Sequence, residues 1–144
     1  MAFSLIVCER TGKWMTMLRR VLPRGAAPVC QTRSLSECHE ELEAACESIV
    51  AIEVTVGNLP QALNYLERWH AAFPDAVAIV LAEPGVERYE SLLREAGSVH
   101  VARSTRDVQG VADIVKHCSA RYRAPRSQIE RISASLPWPD VATM

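Results

Sequence analysis

Short, wholly apolar runs alternate along this chain with segments in which apolar residues recur every three or four positions. Continuous apolar runs are typical of strands that are buried on both faces, and the three-to-four spacing is typical of amphipathic helices. The pattern therefore predicts five strands, each followed by a helix. The predicted strands are residues 3–8, 28–32, 48–55, 76–82 and 98–102.

Single residues indicate where several of the helices begin and end. Ser34, with Glu37 three positions later, matches a capping box and predicts the start of the second helix. Asn58 is expected to cap the third helix, and Gly97 is expected to end the fourth. Strands and helices that alternate on this scale form parallel sheets with helices on both faces. The predicted fold is an α/β three-layer sandwich.

The composition changes near the end of the chain. Residues 1–122 are predicted to form one α/β domain, whereas residues 123–144 are rich in proline, serine and arginine. Up to Ile132 these residues allow a short helix, but the prolines of "LPWPD" exclude that segment from a helix interior. We expect a tail that is mobile or that docks through Trp138, since a large aromatic side chain in an extended segment often anchors in a groove.

Charge and cysteine content narrow the class of protein. A net charge of −1 over 144 residues lacks the basic field on which nucleic-acid binding rests. The N-terminal apolar run is too short to span a membrane and lacks the basic start of a signal peptide. Five cysteines without a CxxC motif are typical of reduced thiols in the cytoplasm. We therefore expect a cytoplasmic protein that binds neither nucleic acid nor a membrane.

Polar side chains stand where the predicted strands end. Glu53 lies near the end of the third apolar run, although a carboxylate is costly there unless it faces water, is paired or binds a cation. Cys8 and Glu9 end the first strand, and Arg103 follows the fifth. Parallel sheets bind ligands at the carboxyl ends of their strands. If the first and third strands are neighbours, Glu9 and Glu53 converge on one crevice whose rim Arg103 can reach. The alternative is that Glu53 only pairs with Arg103 or caps a helix.

The element order and these strand-end positions resemble the CheY-like receiver domain of two-component response regulators, over roughly residues 3–121. The resemblance implies a flavodoxin-like, five-stranded parallel sheet with strand order 2-1-3-4-5. It also implies a phosphoacceptor pocket at the strand ends. A working receiver has there an acidic pair, an acceptor aspartate, a hydroxyl residue and a lysine. In this chain the corresponding positions are Cys8, Glu9, Glu53, Leu81 and Arg103.

The departures in this degenerate phosphoacceptor pocket argue against phosphorylation. Glu53 is one methylene longer than aspartate, and a misplacement of ~1 Å can cost ~10²-fold in rate. Leu81 cannot donate a hydrogen bond to a phosphoryl oxygen. Cys8 is a poor ligand for magnesium, which prefers hard oxygen donors. The expected cation site, formed by Glu9, Glu53 and the carbonyl of Thr55, is weak, and no other cofactor is expected.

The resemblance therefore implies a pseudo-receiver that signals by protein contact and is not an enzyme. In such proteins a glutamate can act as a fixed negative charge in place of the phosphorylated aspartate of a phosphorelay. The family's usual contact surface combines the fourth helix, the fifth strand and the fifth helix. Here the predicted interaction face consists of Tyr89, Leu92, His100 (at the aromatic switch position), Val101 and Arg106. Its partner is expected to be another protein or a second copy, giving a homodimer.

A second interpretation stays open. The chain could be a flavodoxin-like small-ligand binder or enzyme that uses the crevice at Glu9 and Glu53. Residues 10–13, "RTGK", match the end of a phosphate-binding loop, but the upstream glycine is missing and Trp14 replaces the hydroxyl residue. The sequence supplies little else for cradling a phosphate.

Overall fold

The computed structural model describes the backbone of residues 3–135 and the side chains of residues 3–122. The described part contains five strands and five helices in the predicted alternating order. The strands are β1 (Leu5–Cys8), β2 (Val29–Thr32), β3 (Ile49–Val54), β4 (Val77–Ala82) and β5 (Ser98–Ala102). The helices are α1 (Lys13–Val21), α2 (Leu35–Ala44), α3 (Leu59–Ala72), α4 (Glu90–Glu95) and α5 (Val108–Ser135).

All strand pairs are parallel, and the strand order is β2-β1-β3-β4-β5, which confirms the predicted topology. The register pairs Cys8 with Ile52. Glu9 follows Cys8, and Glu53 follows Ile52. The two carboxylates therefore lie side by side where β1 and β3 end. This register places two carboxylates at the carboxyl ends of neighbouring central strands.

The core consists of two layers, one on each face of the sheet. One layer lies under α2, α3 and α4 and includes the buried Trp69; the other lies under α1 and α5 and includes the buried Trp14. Every residue of β1 and β3 is buried, as a central strand covered on both faces requires. The indole nitrogen of Trp69 donates to Nδ1 of His39 over 2.9 Å, which satisfies its polar atom.

The helix limits confirm one cap and correct another. The Ser34 hydroxyl accepts a hydrogen bond from the Glu37 N–H over 3.1 Å, as the capping box predicts. Asn58 occupies the N-cap position of α3, as predicted, but its side chain makes no cap hydrogen bond. Its carbonyl oxygen accepts from the Thr55 N–H over 2.7 Å, and its amide donates to the Glu53 carbonyl over 3.1 Å. Asn58 thus closes the loop after β3.

Two helices differ in length from the pattern in the sequence. The fourth is short, since a 3₁₀ turn at Glu87–Tyr89 precedes α4. The fifth continues for 28 residues to Ser135, so the predicted domain boundary at residue 122 falls inside a helix. The division into residues 1–122 and a tail of residues 123–144 stays a prediction, and docking of Trp138 concerns a residue outside the described ones.

None of the helices in the described part of the chain combines the length and the apolar character needed to cross a membrane.

Gly97, between α4 and β5, offers a test of how closely this turn approaches α3. Its φ is +123°, and a Cβ added there would lie 2.9 Å from the Cβ of His70. Gly25 also has a positive φ of +79°, but an added Cβ would meet no heavy atom within 4 Å. Both alanine variants carry backbone strain, whereas only the first also carries a clash, which typically costs ~1–3 kcal/mol. We expect Gly97→Ala to lower the free energy of unfolding in urea by that much more than Gly25→Ala; equal losses would contradict the close approach.

Candidate functional site

A cavity of about 520 Å³ opens at the carboxyl ends of β1 and β3. Its walls come from these strand ends, the loop after β3, the first turn of α2 and the near side of α3. Of the five residues predicted for the degenerate phosphoacceptor pocket, Cys8, Glu9 and Glu53 line it, and Thr55 does so as well. Leu81 and Arg103 lie elsewhere. The structure thus assembles part of the predicted pocket.

Glu9 forms the cap of the helix that follows it. Its Oε1 accepts a hydrogen bond from the Trp14 N–H over 2.9 Å, and its Oε2 accepts from the Met15 N–H over 2.6 Å. The residue at the N-cap position, Gly12, has no side chain with which to do this. Two charge-assisted bonds and the positive end of the helix dipole compensate the carboxylate for its burial, which leaves it 2% exposed. Both oxygens of Glu9 are therefore engaged by the backbone.

Glu53 lies beside it and is 9% exposed. Its Oε1 accepts a hydrogen bond from the Arg10 N–H over 3.2 Å, which links the end of β3 to the loop after β1. The predicted alternative, in which Glu53 pairs with Arg103, is not found, because Arg103 binds Glu90. Glu53 is instead a wall of the cavity, as the crevice interpretation requires.

Arg103 binds a different carboxylate. Its Nε and Nη2 donate to Oε1 of Glu90 over 3.2 and 2.8 Å, while Arg94 donates to Oε2 of the same residue over 2.9 Å. The expectation that Arg103 reaches the crevice is wrong, because β4 separates β5 from β3 and the neighbouring α4 offers a nearer partner. The Arg103 guanidinium, followed by that of Arg94, lowers the pKa of Glu90. This network stabilises the fold above the unfolded-state pKa of Glu90, and the contribution is lost as the pH falls through the folded-state value.

Leu81 also lies apart from the cavity. It is paired with Glu53 in the register of β3 and β4, but its side chain is fully buried in the core layer under α1 and α5. Receivers have a hydroxyl residue at this position, whereas Leu81 contributes packing here.

A salt bridge that the sequence did not predict lies at the carboxyl ends of the strands. Nζ of Lys13 lies 2.7 Å from Oε2 and 2.9 Å from Oε1 of Glu83, and so joins the start of α1 to the loop after β4. The Glu83 carboxylate raises the pKa of Lys13. The lysine of "RTGK" is thus engaged by a carboxylate, which argues against a role in cradling phosphate. No sequence signal could have found this pair, because 70 residues separate its members.

The donors for a cation are few. Among the residues whose side chains are described, no group of three or more His, Cys, Asp and Glu could hold a metal ion. A cation at Glu9, Glu53 and the Thr55 carbonyl would have to compete with the α1 backbone for Glu9. This weak site stays a prediction.

The predicted interaction face is only partly exposed. Leu92 is 49% exposed, and Arg106 is exposed as well. Tyr89 and His100 are half-buried, and Nε2 of His100 lies 2.7 Å from Oδ2 of Asp107. Val101 does not belong to this surface, because its side chain is 4% exposed and packs in the core.

A different apolar side chain of β5 lies on the outside. Val99, which the sequence did not single out, is 52% exposed on the edge strand β5. Arg94 of α4 donates to its carbonyl oxygen over 3.1 Å, so α4 and this strand edge form one continuous surface. The register of β4 and β5 shifts at Val99, since Ala78 pairs with Ser98 and Ile79 with His100, so simple alternation does not fix the direction of this side chain. Only the sheet order shows that β5 is an edge strand.

The role of Glu9 as a helix cap predicts the effect of its replacement. Glu9→Gln offers the two N–H groups only one acceptor oxygen and turns an amide N–H₂ toward a donor. We expect a loss of ~1.5–3 kcal/mol in the free energy of unfolding, the usual value for a charged hydrogen bond. The control is Glu83→Gln, which weakens a partly exposed salt bridge and should cost ~0–1 kcal/mol. Urea denaturation of both variants measures the difference, and a Glu9→Gln protein as stable as the control would contradict the cap.

No protein-family model matches the chain, and no curated protein matches it. Solved structures share its fold. A response regulator from Thermotoga maritima is 16% identical, with a TM-score of 0.64 over 82% of this chain and 98% of that one. The CheY-like protein TadZ from Pseudomonas aeruginosa PAO1 is 14% identical, with a TM-score of 0.66 over 81% and 98%. A protein from Burkholderia pseudomallei described as pilus assembly-related is 16% identical, with a TM-score of 0.59 over 83% and 91%. The chain therefore has the CheY-like receiver fold.

Proposed function

We propose that this chain is a receiver-like signalling or adaptor module of the cytoplasm, which acts by contact with another protein and without phosphorylation or catalysis. Glu53 stands where a receiver carries its acceptor aspartate and serves as a permanent negative charge. The fold shared with a response regulator and with a pilus assembly-related protein supports a role in signalling or assembly.

The observation that carries the proposal is that both carboxylate oxygens of Glu9 accept hydrogen bonds from the backbone of α1. A phosphorylatable receiver needs acidic oxygens at this tip to hold a metal beside the acceptor. Here the backbone of α1 takes both oxygens of the one acid present, and the neighbouring position is Cys8. Freeing Glu9 for a cation would leave the Trp14 and Met15 N–H groups without their buried acceptor, which costs about 1–3 kcal/mol for each unsatisfied donor.

The surroundings of Glu53 support the same conclusion. Transfer of a phosphoryl group needs donors for its equatorial oxygens. The position of the hydroxyl donor is held by the core residue Leu81, and the position of the lysine by Arg103, which is bound to Glu90. Lys13 is a cation at this edge of the sheet, but Glu83 already neutralises it.

The surface of α4 and β5 supports contact with a protein. Leu92 and Val99 are two of the three large apolar side chains exposed by more than a third among the residues with described side chains. They adjoin the charged group formed by Glu90, Arg94 and Arg103, and exposed apolar side chains rimmed by charges are typical of interaction sites. We propose a contact face formed by Leu92, Val99 and Arg106, with the half-buried Tyr89 and His100 at its margin.

The absence of phosphoryl chemistry has a direct test. Incubated with acetyl phosphate and magnesium, the protein should show no added phosphoryl group by intact mass, and beryllofluoride should not change its thermal stability. Glu53→Asp restores the length of the acceptor but neither the metal ligands nor the hydroxyl, so this variant should stay unmodified too. A stable adduct at Glu53, or saturable beryllofluoride binding, would contradict the proposal.

Self-association through the contact face can be measured by light scattering over a range of concentrations. We expect a dimer at high concentration that Leu92→Glu abolishes, because the charge would be buried in an apolar contact. Val56→Glu is the matched control, since Val56 is equally exposed, at 56%, but lies in the loop after β3. A dimer lost in both variants, or a monomer at every concentration, would contradict self-association through this face.

The cavity favours a second candidate function. Its volume of about 520 Å³ falls in the range of small-molecule sites, and Arg10, Arg33 and Tyr65 line it together with Glu53. A small-ligand binder or enzyme of flavodoxin type would use this cavity. The distinguishing measurement is a thermal-shift screen of flavins and mononucleotides. A colourless protein without a shift would count against this candidate.

A further inference from the structure

A cluster of aromatic side chains joins α2 to α3. The imidazole ring of His39, on α2, lies 6.0 Å from the ring of Tyr65 and 6.1 Å from that of Phe73, measured between ring centroids. The rings of Tyr65 and Trp69, both on α3, are 5.5 Å apart and tilted by 44°. Trp69 is 2% exposed, whereas the side chain of His39 is 23% exposed. His39 therefore connects a buried indole with the solvent-facing side of α2.

One hydrogen bond in this cluster fixes where His39 carries its proton. Nε1 of Trp69 lies 2.9 Å from Nδ1 of His39. An indole nitrogen is a donor only, so Nδ1 of His39 has to accept this bond and carries no hydrogen. The proton of the neutral imidazole is then on Nε2, which lies 3.7 Å from Oε1 of Glu43. The structure thus contains the neutral Nε2–H form of His39.

Protonation of His39 is incompatible with this hydrogen bond. The second proton of an imidazolium goes to Nδ1, toward which the indole N–H of Trp69 already points. Two N–H donors cannot bond to each other, and the burial of Trp69 gives water little access to the freed N–H. A protonated His39 therefore has to move away from Trp69.

The charges around His39 indicate where the ring would turn. The titratable and charged groups that α2, α3 and the strands beneath them contribute to this region are Glu43, Tyr65, Arg68, Cys8, Cys30 and Cys38. Glu43 attracts an imidazolium, but its side chain is 60% exposed, so the attraction at 3.7 Å is weak while Trp69 holds the ring. Arg68 lies over the Tyr65 ring, 5.1 Å from its centroid, and adds a positive charge on the α3 side. A positive His39 is thus drawn toward Glu43 and away from α3.

We propose that His39 is a pH-sensitive switch in the contact between α2 and α3, bound to Trp69 while the imidazole is neutral and released toward Glu43 when it takes up a proton. Histidine changes its charge between about pH 5 and 8, so the switch operates near physiological pH. The hydrogen bond between His39 and Trp69 carries this inference, which does not depend on the proposed function.

The switch acts on the cavity at the carboxyl ends of β1 and β3. Tyr65 lines this cavity and packs against both His39 and Trp69. The beginning of α2, at Leu35 and Ser36, supplies another part of the wall. Because α2 and α3 both border the cavity, a weaker contact between them changes its shape. We therefore expect a cavity that is well defined at neutral pH and loosens as the pH falls.

The test is an NMR titration of the ¹⁵N-labelled full chain from about pH 8 to about pH 5. At the upper end, a two-bond ¹H–¹⁵N spectrum should show His39 with a proton on Nε2 and none on Nδ1. As the pH falls, the ring nitrogens of His39, the indole N–H of Trp69 and the ring protons of Tyr65 should shift with one common midpoint. Trp69→Phe identifies the indole signal, which is missing in that variant.

Two further variants separate the proton from the acceptor. In His39→Asn the side-chain oxygen can accept from the Trp69 indole but takes up no proton, so the Trp69 and Tyr65 signals should not depend on pH. Below the wild-type midpoint, the indole N–H of this variant should exchange with deuterium ~10-fold more slowly than that of the wild type, as expected for one hydrogen bond. His117→Asn is the matched control, because His117 is an exposed residue of α5, which covers the other core layer. This variant should keep the wild-type transition.

Several results would overturn the proposal. They are a proton on Nδ1 of His39 at neutral pH, a Trp69 indole signal that does not follow the titration of His39, and a His39 that stays neutral down to about pH 5. A transition of Trp69 that persists in His39→Asn would also contradict it. Circular dichroism establishes that this variant is folded, and if it is not, the proton position and the common midpoint in the wild-type protein decide the question.

Discussion

The carboxylate of Glu9 accepts hydrogen bonds from the N–H groups of Trp14 and Met15 in the first turn of α1, and the arrangement of the site depends on this contact. Gly12 lets the backbone turn into α1 with a φ of +85° but brings no capping side chain. A carboxylate five residues upstream of Trp14 does the capping, from a buried position that only its two charge-assisted bonds make tolerable. The acid that could serve a metal is in this way committed to the fold.

Around this constraint the receiver fold is kept, while other residues occupy the positions of a receiver's hydroxyl residue and lysine and make contacts between elements. Leu81 adds to the core, Arg103 joins α4 to the segment after β5, and Lys13 joins the loops at the ends of β1 and β4. Each of these side chains stabilises a contact between elements. The positions at which a working receiver holds its catalytic groups therefore contribute to the stability of the fold in this chain.

The cavity lies at the carboxyl ends of the central strands β1 and β3. Its floor carries Cys8, which belongs to the core layer under α2. Its wall carries Glu53, whose carboxylate accepts a hydrogen bond from the loop after β1. The proposed contact face on α4 and β5 lies apart from this cavity, because β4 separates β5 from β3.

The elements and their order could be predicted from local patterns in the chain. Continuous apolar runs marked the strands, three-to-four spacing marked the helices, and the short-range pair of Ser34 and Glu37 marked a helix start, because all of these depend on neighbours a few residues apart. The side-chain partners at the site were decided only by the tertiary structure. Arg103 binds Glu90, Lys13 binds Glu83, and the side chain of Asn58 closes the loop after β3 and makes no cap hydrogen bond. A polar or ionisable side chain binds the nearest complementary group in space, and strand order and helix placement bring that group close from anywhere in the chain.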